Sequence, residues 1–209
     1  MAGLITGIDA QRVRANLETV RAEVGPDVQI LAATKYLPLE DIGALAQAGV
    51  TLAGENRAQD LAAKAAAHPE LTWDFIGQLQ SRKVKQVLPH VRYIHSVASD
   101  SALRELGKHG TPDTEVLVEV NVAGEEGKAG VAPSKLGAFL ERCPVRVVGL
   151  MTMPPFARDP EDSRRWFAAL RELASAHGLR ELSMGTTQDY AVAVEEGATL
   201  VRIGTRLYG

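Results

Sequence analysis

The 209-residue chain has one cysteine, Cys143, so it can form no internal disulfide and suits a reducing compartment. Cys143 precedes Pro144 and has only Glu141 and Arg142 for near neighbours, which marks it as inert rather than as an activated thiol. Aromatic residues are scarce, at 5% against 45% hydrophobic overall, so Ala, Leu and Val must build the core. That composition suits helices laid on a parallel sheet. No apolar run is long enough to span a bilayer. The opening Met-Ala-Gly-Leu-Ile-Thr-Gly-Ile is apolar but short and has no basic lead, so no targeting segment is expected. Positive charge is not in excess either. The net charge is −3 with Lys and Arg scattered, which argues against nucleic acid as a partner. No His, Cys and Asp set has metal-ligand spacing, so no metal is expected. A soluble, cytoplasmic protein is the expectation.

What is present is a regular alternation. Val13, Leu17, Val20 and Val24 recur at helical spacing, with Asp9 placed to cap the start and Gly25-Pro26 to stop the end. After this helix, apolar runs with strand character fall near residues 28–34, 51–53, 72–76, 93–96, 115–121, 145–151, 182–184 and 200–203. Amphipathic helices fill the gaps. The clearest follows Asp159-Pro160-Glu161-Asp162, where Asp159 caps, Pro160 suits the first helical position and the acids favour the positive helix end. Its expected buried stripe is Trp166, Phe167, Leu170, Leu173 and Ala174, and Gly178 ends it. Eight strand–helix units predict one (β/α)₈ barrel spanning 1–209, preceded by a helix. An open doubly wound sheet is the alternative, and eight short regular units count against it. After the eighth strand only Arg206-Leu207-Tyr208-Gly209 remain, too few for a closing helix.

Barrel chemistry gathers at the C-terminal strand ends. Lys35 ends the first run, Asn56 follows the second, and Gln78 to Gln80 follow the third. Met151 ends the sixth run. Ser183-Met184-Gly185-Thr186-Thr187 and Val201-Arg202-Ile203-Gly204-Thr205 carry the last two runs into Gly-Thr turns. Backbone N–H groups and hydroxyls in such turns can converge on a phosphate, here from Gly185, Thr187, Gly204 and Thr205. A positioned amine with a remote phosphate cup fits a phosphorylated aldehyde, and pyridoxal phosphate (PLP) is the obvious case. Desolvation in the barrel mouth would favour the neutral amine that Lys35 needs. Arg202 lies inside the apolar Leu200-Val201-Arg202-Ile203, where a charge needs a partner; a strand-end carboxylate is the simplest one. Asn56 fits a helix cap as well as a ligand contact. His95 reads as a structural histidine, and His68, His90, His109 and His177 as peripheral.

These residues also carry a resemblance. Ala-Thr-Lys35-Tyr, Gly54-Glu55-Asn56-Arg57-Ala-Gln59 and Phe75-Ile76-Gly77-Gln78-Leu79-Gln80-Ser-Arg-Lys83 are followed by His95-Ser96-Val97 and Val120-Asn121 with Lys128-Ala-Gly130. Gly149-Leu150-Met151-Thr152, Ser183-Met184-Gly185, Asp189-Tyr190 and Val201-Arg202-Ile203-Gly204 complete the set. Together they resemble the pyridoxal-phosphate homeostasis protein family of the alanine-racemase N-terminal-domain type. The resemblance implies the type III PLP barrel, with the cofactor held as a covalent aldimine on Lys35. It also implies a cofactor site of Asn56, Met151, Ser183, Gly185, Thr187, Gly204 and Thr205, with Arg202 facing the pyridine nitrogen. It makes Lys128 a candidate second amine. Leu37 stands where the family often has a second lysine, Gln78 where histidine is frequent, and Thr186-Thr187 where Met-Ser is common; threonine preserves the hydroxyl.

The expected function is a PLP carrier that buffers the cofactor and its amino-acid adducts without substantial turnover. Apo PLP enzymes are possible recipients and a monomer is the expected state. The rivals are an amino-acid racemase and a barrel enzyme using Lys35 on a sugar-phosphate carbonyl, as class I aldolases do. Racemisation needs a base on each face of the adduct, and Tyr208 is the only phenol to consider, at a position that favours packing or the rim.

Overall fold

Alternation along each strand decides which residues face the helices and which face the lumen. In β1 (Gln29–Ala33), Ile30 and Ala32 join the large core between sheet and helices, while Leu31 joins Leu52 and Leu200 in a separate apolar cluster. The same rule explains the charge inside the apolar run of β8 (Leu200–Ile203). Val201 and Ile203 pack outward, so Leu200 and Arg202 occupy the opposite face.

The computed structural model describes residues 3–209; Met1 and Ala2, the first two of the apolar opening stretch, lie outside it. Between β1 and β8 run β2 (Leu52–Glu55), β3 (Thr72–Phe75), β4 (Tyr93–Val97), β5 (Glu115–Glu119), β6 (Arg146–Met151) and β7 (Glu181–Thr186). All neighbours are parallel, and pairing of Gln29 with Leu200 through Ala32 with Ile203 closes the barrel. The predicted (β/α)₈ architecture is therefore the observed one. Two strands run two residues beyond their expected ends. β2 runs on to Glu55, and β7 continues to Thr186 because Gly185, at φ +88°, carries the chain onward where a Cβ would sit 2.6 Å from Ala193.

The helices are α1 (Ala10–Val24), α2 (Ile42–Ala48), α3 (Ala58–Ala67), α4 (Val84–Val87), α5 (Asp100–His109), α6 (Leu136–Glu141), α7 (Arg164–Ala176), α8 (Tyr190–Glu195) and α9 (Thr205–Tyr208). Asp9 caps α1 through the Arg12 N–H, at 2.8 Å, and Gly25 ends it at φ +83°. Val13, Val20 and Val24 are its buried stripe, with Leu17 half-buried. In α7, Phe167, Leu170 and Ala174 are buried as expected, but Trp166 and Leu173 are only half-buried. Arg165 covers the Trp166 ring, 4.4 Å from its centroid, so this indole belongs to the flank rather than the core.

After β8 the chain forms one turn, α9, and α1 packs against it. Asn16 Nδ2 donates to the carbonyls of Leu207 and Gly209, at 3.0 and 3.1 Å, satisfying C-terminal carbonyls that would otherwise lack partners. Glu23 accepts from the Tyr190 hydroxyl and pairs with Arg206 at 3.6 Å. No helix among the described residues is long and apolar enough to cross a membrane. Cys143 is half-buried, and burial pushes its thiol above the ordinary range.

Candidate functional site

A cavity of about 300 Å³ opens at the C-terminal ends of β1, β2, β7 and β8. Lys35 and Tyr36 line it from the loop after β1, Asn56 from the loop after β2, and Met153 from the loop after β6. Thr186, Thr187 and Gln188 contribute from the end of β7, and Arg202, Gly204, Thr205 and Tyr208 from β8 and α9. Of the predicted residues, the fold gathers Lys35, Asn56, Thr187, Arg202, Gly204 and Thr205 around one space. Met151, Ser183 and Gly185 do not line it. Met151 is buried at the end of β6, and Met153, two residues later, reaches the cavity instead.

Lys35 is exposed, contrary to the expectation of a desolvated amine, and its Nζ sits 4.8 Å from the Tyr36 ring centroid. Tyr36 is a wall residue that sequence reasoning passed over, although a phenol beside the candidate amine was the available signal. Beneath the loop lies a buried ion pair, Lys64 to Glu55 at 2.6 Å. Lys64 Nζ also donates to the Thr34 carbonyl (2.9 Å), while Glu55 takes the Thr34 hydroxyl (2.8 Å) and the Asn56 N–H (2.6 Å). This pair anchors the backbones on both sides of the cavity entrance.

Asn56 does not cap α3. Arg57 occupies the cap position and makes no side-chain bond there, while the Asn56 Oδ1 is buried without a hydrogen-bond partner. Asn56 lines the cavity, and an orphaned acceptor on a lining residue marks a place for a ligand donor. Gly77 makes room for this segment, since a Cβ there would lie 2.0 Å from the Asn56 carbonyl oxygen.

The two Gly-Thr turns are stapled to each other. The Gly204 N–H donates to Thr187 Oγ1 at 3.2 Å, leaving the Thr187 hydroxyl proton free. That pairing withdraws one of the expected phosphate donors. The Thr186 N–H and hydroxyl are likewise taken by Asp189 Oδ1, at 2.8 and 3.1 Å. Groups still available to an anion include the Thr187 and Thr205 hydroxyls and the first amides of α9.

Arg202 has no carboxylate partner among the described residues, so the expected ion pair is not formed. Its Nη1 donates to Ser183 O (2.8 Å) and Oγ (2.6 Å), and its Nη2 to Thr152 O and Met153 Sδ, both 2.9 Å. Burial lowers its pKa to about 10, with Glu119 and Asp189 opposing the shift, so the guanidinium stays charged at neutral pH. The Tyr208 hydroxyl donates to Ala33 O at 3.0 Å. Burial, with Glu55 behind it, holds that phenol well above its ordinary range. Tyr208 thus belongs to the cavity wall rather than the rim, and its proton is committed. Lys128 is not at the cavity; it pairs with Glu125 at 2.6 Å in a loop. His95 is fully buried between Asp74 and Ser183, the structural position expected of it.

Residues 8–209 match the family described as alanine racemase, N-terminal domain. The pyridoxal phosphate homeostasis protein of Aquifex aeolicus is 42% identical over 87% of this chain and 86% of its own length. That of Pseudomonas aeruginosa is 36% identical over 95% and 92%. The solved structure of PipY from Synechococcus elongatus with PLP bound gives a TM-score of 0.80 at 32% identity, covering 94% of this chain and 100% of that one. The chain therefore belongs to the pyridoxal phosphate homeostasis protein family, of the alanine racemase N-terminal-domain type.

Proposed function

We propose that this protein binds PLP in the cavity at the barrel mouth and serves intracellular PLP homeostasis, as a cytoplasmic, monomeric carrier formed by one barrel domain over residues 1–209. The observation that carries the reading is the placement of an exposed amine, Lys35, across one small cavity from a buried, permanently charged guanidinium, Arg202. A relative of 32% identity has been solved with PLP in place. The donor set also fits the cofactor. The Thr187 and Thr205 hydroxyls suit its phosphate, the orphaned Asn56 Oδ1 suits its ring hydroxyl, and Arg202 suits its ring nitrogen. Met151, Ser183 and Gly185 act from behind the wall, Ser183 by holding Arg202 and Gly185 by shaping the turn that presents Thr187.

Bound PLP supplies an aldehyde that captures amines. Lys35 would be the amine that holds the cofactor through that aldehyde, and an amino acid would compete with Lys35 for it. Arg202 keeps its proton and so holds the ring nitrogen unprotonated, which weakens the ring as an electron sink. The Tyr208 hydroxyl donates to the Ala33 carbonyl, and burial keeps the phenol protonated, so Tyr208 does not serve as a second base. Both features favour a carrier that delivers PLP, or its amino-acid adducts, to apo enzymes over an enzyme with turnover.

The test is borohydride reduction of the PLP-loaded protein followed by peptide mass analysis. The pyridoxyl mass is expected on Lys35. Its appearance only on Lys128 or on scattered surface lysines overturns the assignment.

A further inference from the structure

Below the cavity a chain of hydrogen bonds crosses the lumen. Arg202 Nη1 donates to Ser183 Oγ at 2.6 Å. Ser183 Oγ lies 2.9 Å from His95 Nδ1, and His95 Nε2 lies 3.0 Å from Asp74 Oδ2. At the far end, Asp74 takes Arg92 Nη2 (2.6 Å), Arg92 Nε (3.1 Å) and the Tyr93 N–H (3.1 Å). Ser183, His95 and Asp74 are all fully buried and sit on β7, β4 and β3.

The ends of the chain decide the proton positions. Arg202 and Arg92 can only donate, and an ionised carboxylate can only accept. His95 Nε2 therefore carries a proton for Asp74. A second proton on Nδ1 would put a buried imidazolium between two guanidinium groups, with Asp74 the one carboxylate in this line of hydrogen bonds. Burial pushes His95 below its ordinary value, against the pull of Asp74. Nδ1 is thus an acceptor, and the Ser183 hydroxyl points its proton at it and its lone pairs at Arg202.

We propose that His95 is a positioning residue for Arg202, acting through Ser183 to fix the plane in which the guanidinium meets the ring nitrogen of bound PLP. The need for such a device is visible in the other partners of Arg202. Two are backbone carbonyls and the third is the soft sulfur of Met153, a residue half-exposed on a loop. Without a carboxylate to grip it, the orientation of the guanidinium depends on neutral dipoles, and the relay orients the one at the shortest distance. This inference rests on the cofactor reading above.

The experiment compares the affinity of PLP with that of its carbocyclic analogue, which has C–H in place of the ring nitrogen. The native protein is expected to prefer PLP by about tenfold or more, as a hydrogen bond from a charged donor implies. Arg202→Met should abolish that preference. Ser183→Ala and His95→Leu should reduce it to within about twofold while leaving the analogue's affinity near native, an effect that general loosening would not produce. If Arg202→Met abolishes the preference but the other two variants keep it, the relay is overturned and the cofactor reading stands. If the native protein shows no preference, or Arg202→Met retains it, the ring contact falls and the relay with it. Nitrogen-15 shifts of the His95 imidazole in the native protein need no variant. The Nε2–H neutral tautomer supports the proposal, and an Nδ1–H tautomer or an imidazolium overturns it.

Discussion

Lys64 and Glu55 meet at 2.6 Å in the interior, with side chains 5% and 0% exposed, and together they hold the backbones of Thr34 and Asn56. Glu55→Gln leaves an ammonium buried without a countercharge. A loss of about 3–5 kcal/mol in unfolding free energy is expected. Chemical denaturation measures it, and a loss below about 1 kcal/mol would place the pair among weak surface bridges.

Gly77 touches the other side of Asn56. A methyl there would lie 2.0 Å from a backbone oxygen that cannot rotate away. Gly77→Ala should cost about 1–3 kcal/mol of stability. PLP affinity should fall as well, because Asn56 is displaced. Unchanged affinity in a destabilised variant would remove Asn56 from the site.

The phosphate is expected between the stapled turns. Thr187→Val with Thr205→Val should weaken PLP by roughly tenfold or more per hydroxyl, while phosphate-free pyridoxal is nearly unaffected. Equal losses for both ligands would locate the phosphate elsewhere.

Acid should destabilise the protein in two stages. His95 has a folded pKa below its ordinary 6.5, because burial outweighs the pull of Asp74. Its contribution is complete above pH 6.5 and declines as the unfolded chain takes up a proton that the folded one refuses. Burial opposes the charge of Asp74, yet hydrogen bonds from His95 and Arg92 hold it below 3.8, so its contribution declines only below that pH. Denaturation midpoints across pH 3–8 should show both stages, and His95→Gln should lack the first. An identical profile in the variant would count against a neutral buried imidazole.

Turnover is expected to be absent. With PLP-loaded protein and L- or D-alanine in deuterated water, α-proton exchange with inversion at roughly one per second or faster would mark an enzyme. Slow exchange without inversion fits a carrier with one available base.

Much of the architecture was legible along the chain because periodicity is a local property. Caps such as Asp9 and Asp159 act within three residues, and eight apolar runs separated by helical stripes admit few topologies. Arg202 could be singled out from four residues, since a charge flanked by Val201 and Ile203 has to face somewhere polar. Lys35, Thr187 and Thr205 were legible for a related reason: strand ends in a barrel share one mouth.

Tertiary structure alone decided the partners. The choice of Met153 over Met151 depends on how the loop after β6 folds back, which no period reports. The expected carboxylate for Arg202 is replaced by Ser183, on the neighbouring strand β7, and by Thr152, just beyond the end of β6. Asp74, His95 and Ser183 are separated by 21 and 88 positions along the chain, yet they form one line of hydrogen bonds. The chain by itself determined the alternation, the barrel and the residues that must face inward, because these follow from side-chain period and local sterics. Which inward-facing groups satisfy one another was decided by closure, because a buried polar atom takes whatever partner the far wall presents.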